Sequence, residues 1–140
     1  MNFVQVNKVS KPDSNSSNLI ITFSNDFYKF YYALSLASTL KATGKDVSIF
    51  ISGYACCFIK KNWQDYDKEA INARLIRKKM GTIEEMFAYC KELEVDIFYC
   101  ESAIEFLNIN SNEITNLVCI KPKSMYSILN NYKQGEIIFI

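Results

Sequence analysis

The run Val95-Asp96-Ile97-Phe98-Tyr99-Cys100 passes straight into Glu101-Ser102-Ala103-Ile104-Glu105-Phe106, and this junction constrains the fold more than any other stretch of the chain. A short run dominated by aliphatic and aromatic side chains reads as a buried strand. Ser102-Ala103-Ile104-Glu105 has the Ser-x-x-Glu form of a capping box, so the strand is expected to hand over to a helix that begins at Ser102, with Cys100 at the joint. In open α/β sheets, ligand chemistry collects at the carboxyl ends of strands, where helix N-termini present unpaired N–H groups. Cys100 is thus the cysteine placed for chemistry. The competing reading is a small apolar residue packed at a strand end, the common fate of a free cysteine.

The rest of the chain repeats strand and helix. Leu19–Phe23 reads as a strand, Ser24-Asn25-Asp26 supplies cap candidates, and Phe27, Phe30, Tyr31, Leu34, Ala37 and Leu40 recur at helical spacing until Gly44 ends the helix. Asp46–Ser52 is the next strand, with Gly53 at its carboxyl end. A right-handed crossover then makes the first two strands parallel neighbours. Thr82-Ile83-Glu84-Glu85 is a second capping box, and Ile83, Met86, Phe87, Cys90 and Leu93 form the apolar stripe behind it, with Cys90 in the core. Asn116–Ile120 is expected as a fourth strand with Cys119 packed inside it. After Pro122, a short helix over Met125–Leu129 leads to a last strand, Ile137–Ile140.

Two segments stand outside this pattern. Residues 1–18 end in a polar Ser/Asn-rich stretch and are expected to form a flexible lead, leaving residues 19–140 as one domain. Residues 54–79 begin with apolar Tyr54-Ala55-Cys56-Cys57-Phe58-Ile59 and continue with Trp63 and Tyr66 among many charges. They are expected either to run over the carboxyl edge of the sheet or to form an assembly surface, since exposed aromatic patches mark interfaces. The basic cluster Arg74 to Lys79 lacks interleaved aromatics and reads as a solvated helix end, not a nucleic-acid site.

These elements specify an α/β fold, a flavodoxin-like three-layer α/β/α sandwich with a five-stranded, mostly parallel sheet. The expected strand order is 2-1-3-4-5, with the direction of the last strand open. In that order the topological switch lies between strands one and three. Ser24 and Asn25 would then face Cys100, Glu101 and Ser102 across a binding crevice, with Gly53 on the same edge.

Composition narrows the chemistry. The chain has no histidine, which removes the usual general base and any Cys-His or Ser-His pair. The five cysteines include no Cys-x-x-Cys, which disfavours structural zinc. There is no glycine-rich phosphate loop among the four glycines, and a net charge of +1 supplies no field to recruit nucleic acid or an anionic membrane. The odd cysteine count, the absence of a basic and apolar leader after Met1 and the lack of a membrane-length apolar run lead to the expectation of a cytoplasmic protein with reduced thiols.

From about Leu19 to Ile140 the chain resembles the DsrE/DsrF/TusD-like family of small sulfur-transfer proteins, especially its peroxiredoxin-like DsrE branch. The resemblance rests on Phe30 to Lys45 followed by Val47-Ser48-Ile49-Phe50, and on Gly53 with the apolar stretch to Lys60-Lys61. It rests further on Lys78-Lys79-Met80-Gly81-Thr82-Ile83-Glu84-Glu85-Met86, and above all on Val95 to Ser102 with Leu107-Asn108-Ile109. It implies that Cys100, at the strand end, carries sulfur as a persulfide. It implies no cofactor, with a sulfur donor and an acceptor protein as partners and assembly as a homo-oligomer, a trimer or a multiple of one. In that setting Cys56, Cys57, Cys90 and Cys119 are expected to be dispensable for delivery, although the edge occupied by Cys56 and Cys57 places them as candidates for a resolving thiol. The chain departs from the family at Asn108, where glycine is frequent, and at Lys121-Pro122-Lys123, which replaces a glycine-rich stretch. Glu101 also puts a negative charge beside the thiol, leaving a helix N-terminus and a lysine such as Lys121 to favour the thiolate. Some members lack the cysteine and act as partners in a complex. The alternative is therefore a non-catalytic assembly subunit or a small-ligand binding module.

Overall fold

Strand β1 (Asn18–Thr22), helix α1 (Phe27–Ala42) and strand β2 (Val47–Ile51) form the right-handed parallel unit that the first apolar runs imply. The computed structural model describes residues 17–132 and 135–140, so residues 1–16 of the expected lead lie outside the described residues, while Asn18 already belongs to β1. Helix α1 starts where Asp26 accepts a hydrogen bond from the Lys29 N–H at 3.0 Å, and it stops before Gly44, whose φ of +89° suits a residue without a Cβ.

After β2 the chain makes two short 3-10 helices, Gly53–Ile59 and Trp63–Tyr66, then α2 (Ile71–Arg77), α3 (Ile83–Glu92) and β3 (Asp96–Cys100). Helix α3 is capped as its sequence indicates, with Thr82 Oγ1 accepting from the Glu85 N–H at 3.2 Å. Helix α4 (Glu101–Phe106), β4 (Ile120–Lys123), α5 (Met125–Asn131) and β5 (Ile137–Phe139) complete the order. All strand pairs are parallel, β5 included.

The strand order is 4-3-2-1-5, which corrects the expected 2-1-3-4-5: β2 sits between β1 and β3. The reason lies in the helices. With order 2-1-3, the crossovers after β1 and β2 step in opposite directions and place α1 and α3 on opposite faces. Here they step in the same direction, so the two apolar stripes bury each other. Phe30 lies 6.0 Å from Phe87 between ring centroids, and the Cys90 thiol reaches the Leu34 carbonyl oxygen at 3.7 Å. Only the step to β5 reverses, which sends α5 to the other face, where the Tyr132 hydroxyl and Ser48 Oγ hydrogen-bond. Every residue of the central strand β2 is buried.

The fourth strand is also displaced, running from Ile120 through Pro122 to Lys123 and not over Asn116–Ile120. Proline lacks the N–H of a sheet ladder, but β4 is an edge strand with a single neighbour, so that N–H is not required. Cys119, just before this strand, is exposed and not packed as expected.

The aromatic side chains of residues 54–66 mostly enter the core. Phe58 packs edge-on against Phe27 at 5.4 Å and tilted against Phe30 at 5.2 Å, while Trp63 stacks on Phe27 at 5.5 Å. Phe58, Ile59 and Trp63 are buried, so this segment does not supply the exposed aromatic surface expected of it, and among its aromatics only Tyr54 is exposed. Arg74, Arg77, Lys78 and Lys79 are exposed at the end of α2, as a solvated basic cluster should be.

Candidate functional site

The strand β3 ends at Cys100, which is itself the N-cap of α4. This shifts the helix start from its expected place. Ser102 lies exposed in the first turn, and Cys100 makes no side-chain cap hydrogen bond, so the Ser102–Glu105 capping box does not form. A helix can begin directly from a strand here because Cys100 keeps an extended backbone, φ −78° and ψ 118°, as N-cap residues do. Cys100 is only 5% exposed, whereas Glu101 and Ser102 face solvent.

The first 3-10 helix after β2 packs against both β3 and α4, and it carries Cys56 into the same place. The Cys56 thiol donates to the Ile51 carbonyl oxygen at 3.4 Å. Ile51 pairs in register with Tyr99, so this sulfur sits beside the strand end that leads into Cys100. Burial pushes the Cys56 thiol up to about 12; the Cys100 amide opposes this shift, while the nearby Cys100 and Cys57 thiols add to it. Cys90, buried between α1 and α3, is raised to about 12 by burial alone.

Cys57, the residue after Cys56, lies on a cavity wall. It is half-buried and lines a cavity of about 410 Å³ with Asn25, Tyr54, Tyr66 and Lys68. Burial raises its pKa and the Lys60 ammonium opposes the rise. Lys60 hydrogen-bonds the Tyr66 hydroxyl at 3.0 Å and pairs with Glu113 at 3.7 Å, so its charge is already engaged.

Ser24, Asn25 and Gly53 do not share a crevice with Cys100. Because β2 lies between β1 and β3, the end of β1 opens toward β5, and Ser24 and Asn25 line a separate cavity of about 570 Å³ with Phe23, Tyr54, Phe139 and Lys29. Its walls are aromatic, with Phe23 6.3 Å from Tyr54 and 6.0 Å from Phe139. Ser24 Oγ accepts a hydrogen bond from the Asp26 N–H at 3.1 Å, which engages the hydroxyl in the local turn. Gly53 stands between the two neighbourhoods. Its φ is +50°, and a Cβ there would lie 2.4 Å from the Phe23 ring, so only glycine lets that ring lie against the backbone.

Two neighbours of Cys100 depend on the strand order. Cys56, a candidate from the sequence for its place on this edge, is one, and β2–β3 adjacency brings the segment after Gly53 to the end of β3. The second is Lys123, which pairs in register with Cys100, whereas Lys121 pairs with Phe98. Register thus places Lys123, not Lys121, next to Cys100 on β4, and the Lys123 ammonium sits 4.5 Å over the Phe98 ring. Among the described residues, no three His, Cys, Asp or Glu side chains cluster as metal ligands. No helix among them is long and apolar enough to cross a membrane.

The ychN protein from E. coli has the same fold: it aligns with a TM-score of 0.65 at 11% identity, over 89% of this chain and 99% of its own. A conserved protein of unknown function from Bacteroides thetaiotaomicron, BT1422, aligns with a TM-score of 0.58 at 15% identity, covering 89% of this chain and 95% of its own. No curated protein matches the chain. A family model described as the DsrE/DsrF-like family matches residues 18–139, from the first residue of β1 to the last of β5, so the chain belongs to that family.

Proposed function

We propose that this protein is a sulfur carrier. The Cys100 thiolate attacks the outer sulfur of a donor persulfide, releases the donor thiolate and holds the sulfur as Cys100–S–SH. An acceptor thiolate then attacks that outer sulfur and restores Cys100. The observation that carries this reading is the placement of Cys100 at the β3–α4 joint of a DsrE-like sheet, almost buried and with its side chain uncommitted to capping the helix. A free thiol of pKa about 8.5 is only a few per cent ionised at neutral pH, so the reaction relies on the unpaired N–H groups at the start of α4 and on the Lys123 strand beside it.

In this reading the partners are a persulfide donor and a thiol-bearing acceptor protein, the setting is the cytoplasm, and the protein works as a homo-oligomer, a trimer or a multiple. Light scattering that shows a monomer at every accessible concentration refutes the assembly. The alternative, a non-catalytic subunit or small-ligand module, draws on the aromatic cavity of Phe23, Tyr54 and Phe139, which contains no thiol. Incubation with a cysteine desulfurase and cysteine, followed by peptide mass spectrometry, separates the two. One added sulfur on the Cys100 peptide supports the carrier; none there, under conditions that load a known carrier, overturns it.

A further inference from the structure

We infer that β5 is a two-fold docking edge: the β5 strands of two copies of this chain pair antiparallel about Ile138 and join two five-stranded sheets into one. This rests on the homo-oligomer reading for its partner. Its geometry rests on the outer edge of β5, which among the described residues has β1 as its one neighbour. Backbone groups alternate in direction along a strand. The Glu136 carbonyl accepts from the Leu19 N–H at 2.9 Å, and the Ile140 N–H donates to the Ile21 carbonyl oxygen at 2.8 Å, so the even-numbered residues face β1. The N–H and C=O groups of Ile137 and Phe139 therefore point outward.

The two edges of this sheet are built differently. At the far edge β4 carries Lys121, Pro122 and Lys123, residue types that keep an edge strand from pairing with another chain. β5 holds neither a charge nor a proline. Its Ile137 and Phe139 side chains, on one face of the strand, are 52% and 67% exposed. The Phe139 ring lies 6.0 Å from Phe23, which lies 6.3 Å from Tyr54, so the edge continues into an exposed apolar patch of the kind that marks an interface.

A second copy fits this edge in one register. With the two-fold axis at Ile138, Ile137 of each copy lies opposite Phe139 of the other, and every outward N–H and C=O group of the two strands finds a partner. Moving the axis to Phe139 leaves the Ile137 groups of both strands without one. Each facing pair sets an aliphatic side chain against an aromatic one, a favourable cross-strand combination, and Glu136 falls opposite Ile140, so no like charges meet. A two-fold contact cannot by itself close a trimer. Of the assemblies proposed above it selects an even multiple of the trimer. Because β2 and β1 stand between β3 and β5, it leaves the end of β3, with Cys100, outside the joint.

The test places a cysteine on the axis, in a Cys119→Ser background that removes the exposed native thiol. Residues opposite each other in a non-hydrogen-bonded antiparallel pair have Cα atoms about 4.5 Å apart, within disulfide range. Ile138→Cys should therefore give a 138–138 linked dimer with diamide, identified by peptide mass spectrometry. Ile137→Cys, whose two copies lie offset along the pair, should link about tenfold less or worse. A charge pair reads the register without a new thiol. Phe139→Lys should raise the concentration at which the assembly doubles by about tenfold or more in sedimentation velocity, and adding Ile137→Glu, which sets a carboxylate opposite each ammonium, should recover about threefold or more of it. Circular dichroism checks the fold of each variant. An oligomer by light scattering with no 138–138 link, with equal linking at 137 and 138, or with no recovery in the double variant overturns the edge pairing and leaves the homo-oligomer reading standing. A monomer at every concentration overturns both. A link that forms only once residues 1–16 are removed assigns the edge to the chain's own leading segment and overturns the pairing as well.

Discussion

Two neighbourhoods share the carboxyl edge of this sheet, and they are built from opposite materials. At the ends of β2 and β3 two sulfurs are buried, that of Cys56 against the Ile51 carbonyl oxygen. At the ends of β1 and β5, three aromatic rings stand exposed around an open cavity, with Phe23 45%, Tyr54 49% and Phe139 67% accessible. The topological switch of the sheet falls at the second place, where ligands usually gather in α/β folds, yet the cysteine of the proposed carrier reaction is at the first. Thiol chemistry needs a desolvated, preorganised sulfur, which a sheet interior supplies. A recognition surface needs accessible apolar area, which an edge supplies. In the carrier proposed above, Ser24 and Asn25 would stand on the recognition side and Cys100 on the reacting side.

The largest expected effect tests that division directly. Cys100→Ser should abolish sulfur loading by a desulfurase while leaving the fold intact, whereas Phe139→Ala should leave loading by inorganic polysulfide within about twofold of wild type. Equal loss in both would show that the aromatic cavity belongs to the reacting site. Next in size is Phe58→Ala. This ring is buried between Phe27 and Phe30 on the segment that carries Cys56, and its removal should cost about 3–5 kcal/mol in urea unfolding. Truncating the exposed Tyr54 on the same segment should cost less than about 1 kcal/mol.

Gly53→Ala probes the hinge between the regions. The left-handed backbone alone opposes a Cβ by about 1–2 kcal/mol, and the Phe23 ring must also move. Loading of Cys100 should be unchanged, because the strain is relieved on the aromatic side.

The sequence made some of this legible, and the boundary follows physical lines. Local signals held where a single interaction decides the outcome: Asp26 and Thr82 cap their helices, Gly44 ends one, and the stripe of Phe27, Phe30, Tyr31 and Leu34 is buried. The position of Cys100 at the end of β3 was legible because a strand end depends on its own residues. The strand order was not legible. It depends on α1 and α3 preferring each other's apolar faces, a long-range contact that no short window reports. From that error followed the expectation that Ser24 and Asn25 face Cys100. The Ser102 capping box failed for a competing reason. A strand that can turn directly into a helix at Cys100 leaves no turn for Ser102 to cap.

Ionisation separates the buried sulfurs from the exposed edge in a further way. Cys56 and Cys90 stay neutral in the folded chain up to about pH 12, while in the unfolded chain they ionise near pH 8.5. A raised folded pKa gives stability that is complete below the unfolded value and is lost as pH climbs toward the folded one. The urea midpoint of wild type should therefore fall between pH 9 and pH 11 more steeply than that of Cys90→Ala, which lacks one of the two groups. Equal slopes would show that Cys90 ionises freely in the native state and that the core between α1 and α3 is wetter than its packing indicates.

The smallest expected effect belongs to Glu101, and it measures how far the reacting site is insulated from solvent. The carboxylate follows Cys100 directly and, taken from the sequence alone, opposes the thiolate. In the structure Glu101 is exposed on the first turn of α4, whereas Cys100 is buried. Charges separated by water at a protein surface interact by about 0.2–1 kcal/mol, and salt screens them further. Its position at the start of a helix also favours a negative charge there, so removing it costs the helix part of what the thiolate gains. Glu101→Gln should therefore speed persulfidation of Cys100 by no more than about fivefold at low ionic strength, and the gain should fade at 0.5 M salt. Stopped-flow loading with polysulfide at two salt concentrations reads this directly. A salt-insensitive gain well above tenfold would place the carboxylate against the sulfur in the reacting state, and the boundary between buried chemistry and solvated edge would then have to be drawn on the outer side of Glu101.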